Sequence, residues 1–362
     1  MRIGIFLHPY NEKKPAGLGR FIFYLSRHLI ENAPQHTFYL FVKSAPKVKP
    51  DISGSNWSVI ECGRGLFWMD RGISKAPKAD IYLFNTPIIP VWRSVKKSVV
   101  IALDFAYLDF HSPGILHALK RYILKQYHRF SLKRSDQIIA ISHATEGDVI
   151  QRFHIPQQKI RVIYPGFSSV CEISPKYVSV PKPFFLFIGV IKERKNVHGV
   201  IEAFIKLLKE DATVSLVVAG NGEGDYYEQI ISRVKTANAL NRIYFLGHIS
   251  AAEVSYLFQN ARALVFPSLT EGFGFPVLEG MECGIPVITS NSSSLVELGG
   301  DAAYLVDPRD PESIYKGMKA LLYDENIHQK LILRGYEQVK KFSWNRSARE
   351  FLLVLEELCG QK

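Results

Sequence analysis

Cysteine is scarce in this sequence: four occur among 362 residues, at positions 62, 171, 283 and 359. No two of them form a CxxC pair, which argues against a zinc site of the usual spacing and against a dense disulfide framework. We therefore expect four reduced thiols that pack as small apolar side chains, as in a protein of a reducing compartment.

Long hydrophobic runs are also missing. The longest spans Phe184 to Ile191, whereas a transmembrane helix needs about 20 residues. The N-terminal apolar run stops at His8 and Pro9 and resembles a first β-strand more than a signal peptide. With 47% apolar residues, the chain can bury a large core, and its length suits two domains. These features predict a cytoplasmic protein, soluble or peripheral to a membrane, and exclude a disordered or coiled-coil chain.

The charge is unevenly distributed along the chain. Residues 1–167 carry 24 lysines and arginines against 11 acidic residues, a net charge of +13, whereas residues 168–362 carry 21 against 23. This asymmetry predicts that the first half meets an anionic surface. Because no nucleic-acid-binding signature is present, we expect a membrane or lipid phosphate and no nucleic acid.

One segment, 116–134, concentrates the positive charge. At 100° per residue, its apolar side chains fall on one face: Leu116, Leu119, Ile123, Tyr127 and Phe130. Its basic side chains fall on the opposite face: Arg121, Lys125, His128, Arg129 and Lys133. The basic face, through Arg121, Lys125, Arg129 and Lys133, is either a membrane or acceptor patch, or the solvated side of an ordinary surface helix docked on its own sheet.

Strand-like and helix-like patterns alternate twice, which is typical of parallel β-α-β units. The predicted strands are 3–7, 38–42, 57–61, 81–85, 99–103, 137–142 and 161–164, then 184–189, 214–219, 243–246, 263–267 and 286–289. The predicted helices are 20–30, 116–134, 145–153, 197–209, 226–237, 251–259, 276–282, 311–323 and 344–359. The predicted organisation is an α/β chain of two doubly wound Rossmann-like domains, residues 1–167 and 184–342, joined by a linker at 168–183. A helix at 343–362 is predicted to pack toward the first domain. Ligands bind beyond the carboxyl ends of parallel strands, so two such domains facing a cleft suit group transfer.

The segment Glu271-Gly-Phe-Gly-Phe-Pro-Val-Leu-Glu279 carries the strongest chemical signal. Gly272 and Gly274 allow backbone N–H groups to approach a ligand, and Pro276 suits the first turn of a helix. A helix N-terminus attracts phosphate, whereas carboxylates beside it suit sugar hydroxyls. The pattern indicates a nucleotide-sugar site, against the alternative of a plain helix start.

This block and its continuation, EGFGFPVLEGMECGIPVITSNSSSLVEL, closely resemble the signature of retaining glycosyltransferase family 4, of the GT-B superfamily. FIGVIKERKNVHGVIEAF, ALDFAYLDF, ISHATEGDV and IRVIYPGF also occur in the order of that family. The resemblance covers essentially the whole chain and is strongest to bacterial mannosyltransferases of O-antigen and capsule assembly. It implies transfer of a hexose from a nucleotide diphosphate sugar to a glycan or lipid-linked acceptor, in cell-surface polysaccharide synthesis at the inner face of the cytoplasmic membrane.

The resemblance also implies roles for residues of the second half. Glu271 would contact the hydroxyls of the donor sugar, and Glu279 would hold those of the ribose. The backbone N–H groups of Phe273, Gly274 and Phe275 would meet the diphosphate or the sugar. Arg194 and Lys195 would clamp the diphosphate and stabilise charge on the leaving group. Because these cations are present and a DxD motif is absent, we expect no divalent metal and no other cofactor.

Further donor-binding positions implied by the resemblance are Gly17, Gly19 and Arg20 of the N-terminal glycine loop, and Gly189. Asp104 follows a predicted strand and would bind hydroxyls of the donor or the acceptor. Many relatives place a histidine just before this aspartate, where this sequence has Leu103. We therefore expect either GDP-mannose or a 6-deoxyhexose nucleotide as the donor.

Two alternatives remain beside the transferase. One is a GT-B phosphorylase or epimerase, although no pyridoxal-binding lysine context is visible. The other is an inactive module that docks on membranes, although Glu271, Glu279, Arg194 and Lys195 are intact. The oligomeric state is left open.

Overall fold

A computed structural model describes residues 1–7, 18–46, 50–65, 67–92, 95–110 and 114–360. These residues form two compact units. The first comprises residues 1–166 together with 342–362, and the second comprises residues 167–341.

The first unit is built on a sheet of seven parallel strands in the order β3-β2-β1-β4-β5-β6-β7. The strands are β1 (Arg2–Phe6), β2 (Thr37–Val42), β3 (Trp57–Glu61), β4 (Ile81–Phe84), β5 (Ser98–Ala102), β6 (Gln137–Ala140) and β7 (Ile160–Val162). The helices are α1 (Leu18–Asn32), α2 (Trp68–Lys75), α3 (Ile115–Arg134) and α4 (His143–Phe153).

Aromatic packing fixes the centre of this unit. The Phe6 ring stacks on Phe41 at 4.6 Å and on Phe84 at 4.7 Å between centroids, so three adjacent strands share one apolar stack. Strands β4 and β5 are buried along their whole length, as expected where helices cover both faces of a parallel sheet.

The second unit has six parallel strands in the order β10-β9-β8-β11-β12-β13. They are β8 (Phe184–Ile188), β9 (Ser215–Ala219), β10 (Ile243–Gly247), β11 (Ala263–Phe266), β12 (Val287–Ser290) and β13 (Tyr304–Val306). The helices are α5 (Val197–Leu208), α6 (Gly224–Thr236), α7 (Ala251–Asn260), α8 (Phe275–Glu282), α9 (Ser294–Gly299), α10 (Pro311–Tyr323) and α11 (Glu325–Val339). The strand order reverses between β8 and β11, and in open parallel sheets ligands bind at such a switch point.

The last helix, α12 (Trp344–Cys359), belongs to the first unit although it follows the second in sequence. Its Trp344 ring stacks on Tyr24 of α1 at 5.9 Å. His36 Nε2 and Glu356 Oε1 lie 2.9 Å apart, which attaches the far end of the helix. The predicted return of the C-terminal helix toward the first domain is confirmed.

The two predicted parallel-sheet domains are confirmed, and most strands lie within about one residue of their predicted bounds. Sequence periodicity missed α2, α9, β13 and α11, of which α9 and β13 are too short to show a period. Residues 168–183, predicted as a linker, lie within the second unit.

The faces of α3 differ from those of a helix that docks its apolar side on the sheet. On the apolar face, Leu116 is 61% exposed, and Leu119, Ile123 and Phe130 are exposed as well, whereas Tyr127 is half-buried and donates to the Ile89 carbonyl. On the predicted solvent face, His128 is buried, and the guanidinium groups of Arg121 and Arg129 are each partly shielded. Helical spacing defined the two faces but could not decide which one turns inward. No helix in the described ranges is both long and apolar enough to cross a bilayer.

The prediction of four free thiols is wrong for two cysteines. Cys171 and Cys283 form a disulfide with Cα atoms 5.6 Å apart, whereas Cys62 and Cys359 are free. The bond joins positions separated by 112 residues, a pairing that no local spacing rule reveals.

Candidate active site

The candidate site of the second unit lies at the carboxyl end of β11. The loop after this strand leads into α8, and Gly274 is the residue before the helix, at φ 113°. A side chain there would be strained by the positive φ, and its Cβ would lie 2.5 Å from Leu295. The Ser294 hydroxyl donates to the carbonyls of Glu271 (2.9 Å) and Phe273 (2.7 Å), which fixes the loop from the side of α9.

The carboxylate of Glu271 is the most tightly held group of this loop. Its side chain is only 8% exposed. The guanidinium of Arg194 donates to Oε2 at 2.9 Å, and the ammonium of Lys195 donates to Oε1. Burial alone would raise the pKa of Glu271, but the two adjacent cations outweigh it and hold that pKa below its ordinary value. The carboxylate is therefore ionised at neutral pH.

The two cations come from a short 3₁₀ turn, Glu193–Lys195, that follows β8. Asn196 ends this turn at φ 57° and begins α5, and its side-chain amide donates to the Pro267 carbonyl at 3.1 Å. The Leu269 N–H donates to the Arg194 carbonyl at 2.8 Å. The turn after β8 is thus attached to the loop after β11 by backbone and side-chain bonds.

The arrangement leaves an excess of positive charge. Arg194 and Lys195 carry two positive charges, and Glu271 carries one negative charge. The first N–H groups of α8 add the partial positive charge of a helix N-terminus. The site can therefore attract an anion, and a diphosphate that binds there would compete with Glu271 for the same two cations.

The structure brings several predicted positions to this edge of the sheet. Phe273, Gly274 and Phe275 form the junction of the loop and α8. Glu279 lies one turn further along α8 and is largely buried. Gly189 follows β8 at φ 142°, and a Cβ on neighbouring Gly220 would come within 1.9 Å of the Gly189 carbonyl. This contact favours a packing role for Gly220, which follows β9.

The remaining predicted positions belong to the first unit. Asp104 is exposed after β5, and its Oδ1 accepts from the Ala106 N–H at 3.2 Å. Gly19 and Arg20 lie in the first turn of α1, whereas Gly17 is outside the described residues. Leu103 is partly buried, and its carbonyl accepts from Thr145 Oγ1 at 3.1 Å.

Sequence reasoning missed the residues that support the site. Asn196 and Ser294 hold the two loops, and neither carries an obvious chemical signature. A partial signal existed for Asn196, since asparagine before a predicted helix is a common N-cap. Ser294 lies in a run of three serines, in which no pattern singles out one hydroxyl.

Comparison with known proteins assigns the family. Residues 15–169 match the sequence profile described as Glycosyltransferase Family 4, and residues 172–338 match Glycosyl transferases group 1. O-antigen chain mannosyltransferase B of Escherichia coli is 32% identical over 278 residues, which cover 73% of this chain and 71% of that relative. The chain belongs to glycosyltransferase family 4.

Other relatives match this family 4 glycosyltransferase over only part of their own length. The serotype-specific mannosyltransferase WbdA of E. coli is 26% identical over 385 residues, which cover 93% of this chain but 46% of WbdA. The O-antigen chain mannosyltransferase RfbU of Salmonella typhimurium is 29% identical over 202 residues, 55% of each chain.

Solved structures confirm the GT-B fold of this glycosyltransferase. Sucrose-phosphate synthase from Thermosynechococcus elongatus superposes with a TM-score of 0.76 at 18% identity, covering 100% of both chains. WaaG, a glycosyltransferase of lipopolysaccharide biosynthesis, superposes with a TM-score of 0.70 at 15% identity, covering 97% of this chain and 98% of that chain.

Proposed function

We propose that this glycosyltransferase moves a hexose from a nucleotide diphosphate sugar to a glycan or lipid-linked acceptor, with retention of configuration. The observation that carries the proposal is the buried Glu271 held between Arg194 and Lys195 beside the first turn of α8. In this role the two cations and the helix N-terminus bind the diphosphate. Glu271 and Glu279 accept hydrogen bonds from hydroxyls of the sugar and the ribose.

The charge of the leaving group explains the arrangement. Cleavage of the anomeric bond leaves negative charge on the nucleotide diphosphate, and fixed cations stabilise that charge most in the transition state. Arg194 and Lys195 supply this stabilisation, so the proposed reaction needs no divalent metal. Retention follows if the acceptor attacks from the face that the diphosphate leaves, with the departing phosphate taking the acceptor's proton. Asp104 would orient hydroxyls of the donor or the acceptor.

The donor sugar is proposed from the relatives and from Leu103. The relatives named above are mannosyltransferases, which favours GDP-mannose. An apolar Leu103 beside the sixth carbon would instead suit a 6-deoxy sugar, because a buried hydroxyl without a partner costs about 1–3 kcal/mol. Discrimination from one such contact is limited to about 10–200-fold.

The test begins with thermal shifts in GDP, UDP, dTDP and ADP, followed by kcat/KM for GDP-mannose and GDP-rhamnose with and without EDTA. We expect stabilisation by one nucleotide class and transfer that EDTA leaves unchanged. Leu103→His should shift the preference toward mannose if residue 103 faces the sixth carbon. Absence of any nucleotide-dependent shift would contradict the donor site, and loss of transfer in EDTA would contradict metal independence.

We also propose that an anionic membrane surface is a partner of the first unit. The exposed apolar side chains of α3 are an unusual feature of a surface helix, and the opposite face of the same helix carries a row of cations. Arg121, Lys125 and Arg129 are partly buried, and no carboxylate in the described ranges forms an ion pair with them or with exposed Lys133. The outward apolar side chains suit lipid acyl chains, and the net charge of +13 on residues 1–167 suits lipid phosphates, at the inner face of the cytoplasmic membrane.

A further inference from the structure

The disulfide between Cys171 and Cys283 lies in the unit that carries the proposed donor site. Cys171 belongs to the segment with which the chain enters the second unit. This segment is attached to α7, because Ser255 Oγ donates to the Ile173 carbonyl at 2.7 Å and Gln259 Nε2 donates to the Cys171 carbonyl at 3.3 Å. The disulfide therefore connects a segment fixed on α7 with the element that carries Cys283.

Cys283 caps the C-terminus of α8. Its N–H donates to the Glu279 carbonyl at 3.1 Å, one turn earlier in the helix. The same helix begins immediately after Gly274 at the candidate site. The disulfide thus fixes the end of the helix whose first turn faces the proposed diphosphate and whose middle carries Glu279.

The surroundings of the two sulfurs favour reversibility. Neither cysteine is fully buried, as exchange with a small thiol requires. A carboxylate oxygen of Glu282 lies within 4.8 Å of both sulfurs, and its Oε2 is buried without a hydrogen-bond donor. Reduction would place two S–H donors near the carboxylate of Glu282. A nearby acceptor for these donors favours the dithiol relative to the disulfide.

We propose that Cys171 and Cys283 form a redox modification site that exchanges with a small disulfide of the glutathione class and tunes nucleotide binding through α8. In the oxidation, the sulfur–sulfur bond of oxidised glutathione breaks and the Cys171–Cys283 bond forms. The two cysteine protons pass to two released glutathione thiols, so atoms and electrons balance. The coupling to nucleotide rests on the proposed function, whereas the exchange itself does not.

The effect on binding follows from preorganisation. With the disulfide closed, the end of α8 is fixed to the segment on α7, and Glu279 is held in one position. With the disulfide open, that attachment is lost. We expect the reduced protein to bind the preferred nucleotide diphosphate less tightly, by on the order of two- to thirty-fold in Kd.

The experiment equilibrates the full chain with mixtures of reduced and oxidised glutathione, alkylates free thiols and maps them by mass spectrometry. We expect Cys171 and Cys283 to become protected together across the series. Cys62 and Cys359 serve as internal controls. Burial raises the pKa of the Cys62 thiol to about 11, so it stays protonated and unreactive.

Nucleotide Kd is then measured by calorimetry in the oxidised and reduced forms with GDP and UDP. Cys171→Ser should bind as the reduced form does in every mixture, whereas Cys359→Ser should keep the full redox response. Alkylation of Cys171 and Cys283 in all mixtures would overturn the redox site. Equal Kd in both forms, or a response that persists in Cys171→Ser, would overturn the coupling. If neither form binds a nucleotide, the donor site fails with the coupling, and the thiol titration alone decides the exchange.

Discussion

At the scale of single residues, Glu271 differs most from its sequence-based description. The sequence predicted Glu271, Arg194 and Lys195 as three groups that face a substrate. In the structure they face one another, as a carboxylate between two cations. A motif defines which residue types occur at which spacing. It cannot show that side chains 76 and 77 positions apart pair with each other.

This contact predicts opposite effects on binding and on transfer for Glu271→Gln. The amide keeps the shape but releases both cations, so the nucleotide diphosphate should bind at least as tightly as to the wild type. Transfer should fall by about 10²–10³-fold, because a group proposed to bind the reacting sugar is lost. Without nucleotide the variant should melt earlier, since breaking a buried ion pair leaves uncompensated charge.

Calorimetry with GDP and UDP, a transfer assay and thermal shifts check this prediction. Glu312→Gln is the matched control, because Glu312 pairs with Lys206 on the surface of the same unit and should matter little. A Glu271→Gln enzyme with wild-type kcat would contradict the assignment of Glu271 to the proposed site.

A second residue-scale prediction concerns His128, which lies buried in α3 beside Tyr107. Burial lowers the pKa of His128 to about 4. Below about pH 6.5 the unfolded chain therefore binds a proton at this histidine, whereas the folded chain binds that proton only near pH 4. Stability should fall as pH decreases through this window, by up to about 1.4 kcal/mol per pH unit.

Urea unfolding at pH 7, 6 and 5 measures this slope. His128→Gln should flatten it, while His117→Gln, an exposed histidine of the same helix, should not. An unchanged slope in His128→Gln would show that another group causes the acid sensitivity.

At the scale of elements, local patterns determined most of the helices and strands. The predicted bounds of α10 (Pro311–Tyr323) and α12 match the structure, because each begins with a proline or tryptophan after a polar cap and keeps its period throughout. Helix α11 was missed because it follows α10 after Asp324 alone, which caps its N-terminus. The periodicity of α3 was correct, but its orientation depended on neighbours far away in sequence.

The orientation of α3 changes the expected character of membrane binding. With the apolar face outward, binding should combine insertion of side chains with attraction to anionic lipids, so salt should weaken it without abolishing it. Replacing Leu119 and Ile123 by serine should weaken binding to phosphatidylserine-containing vesicles by about ten-fold or more, since burial of such a side chain is worth about 1.5–3 kcal/mol.

Vesicle co-sedimentation at several salt concentrations measures this effect. Leu333→Ser, at a leucine of α11 in the second unit that is at least as exposed, is the matched control. Binding that is lost completely in salt and is indifferent to residues 119 and 123 would show a purely electrostatic contact.

At the scale of the whole molecule, the first unit is discontinuous in sequence. Residues 342–362 complete it, and the buried face of α12 includes Trp344, Phe351 and Leu355. Trp344→Ala should destabilise the first unit by about 3–5 kcal/mol, because a large buried ring is removed. The second unit, residues 167–341, should keep its own stability.

Hydrogen exchange resolved by peptide distinguishes the two units. We expect faster exchange in the strands β1 to β7 and unchanged exchange in β8 to β13. Leu353→Ala, an exposed position of the same helix, is the control. Faster exchange confined to the second unit would contradict the assignment of α12.

The position of α12 also sets an order of events during synthesis. The ribosome makes the seven strands of the first unit early, but it must add a further 175 residues, 167–341, before the closing helix follows. At a synthesis rate of about 5–20 residues per second, roughly 10–35 seconds pass before α12 can pack against the apolar side of α1. During this interval the second unit, contiguous in the chain, can fold first. The half of the protein that is made first is thus the last to receive all of its residues.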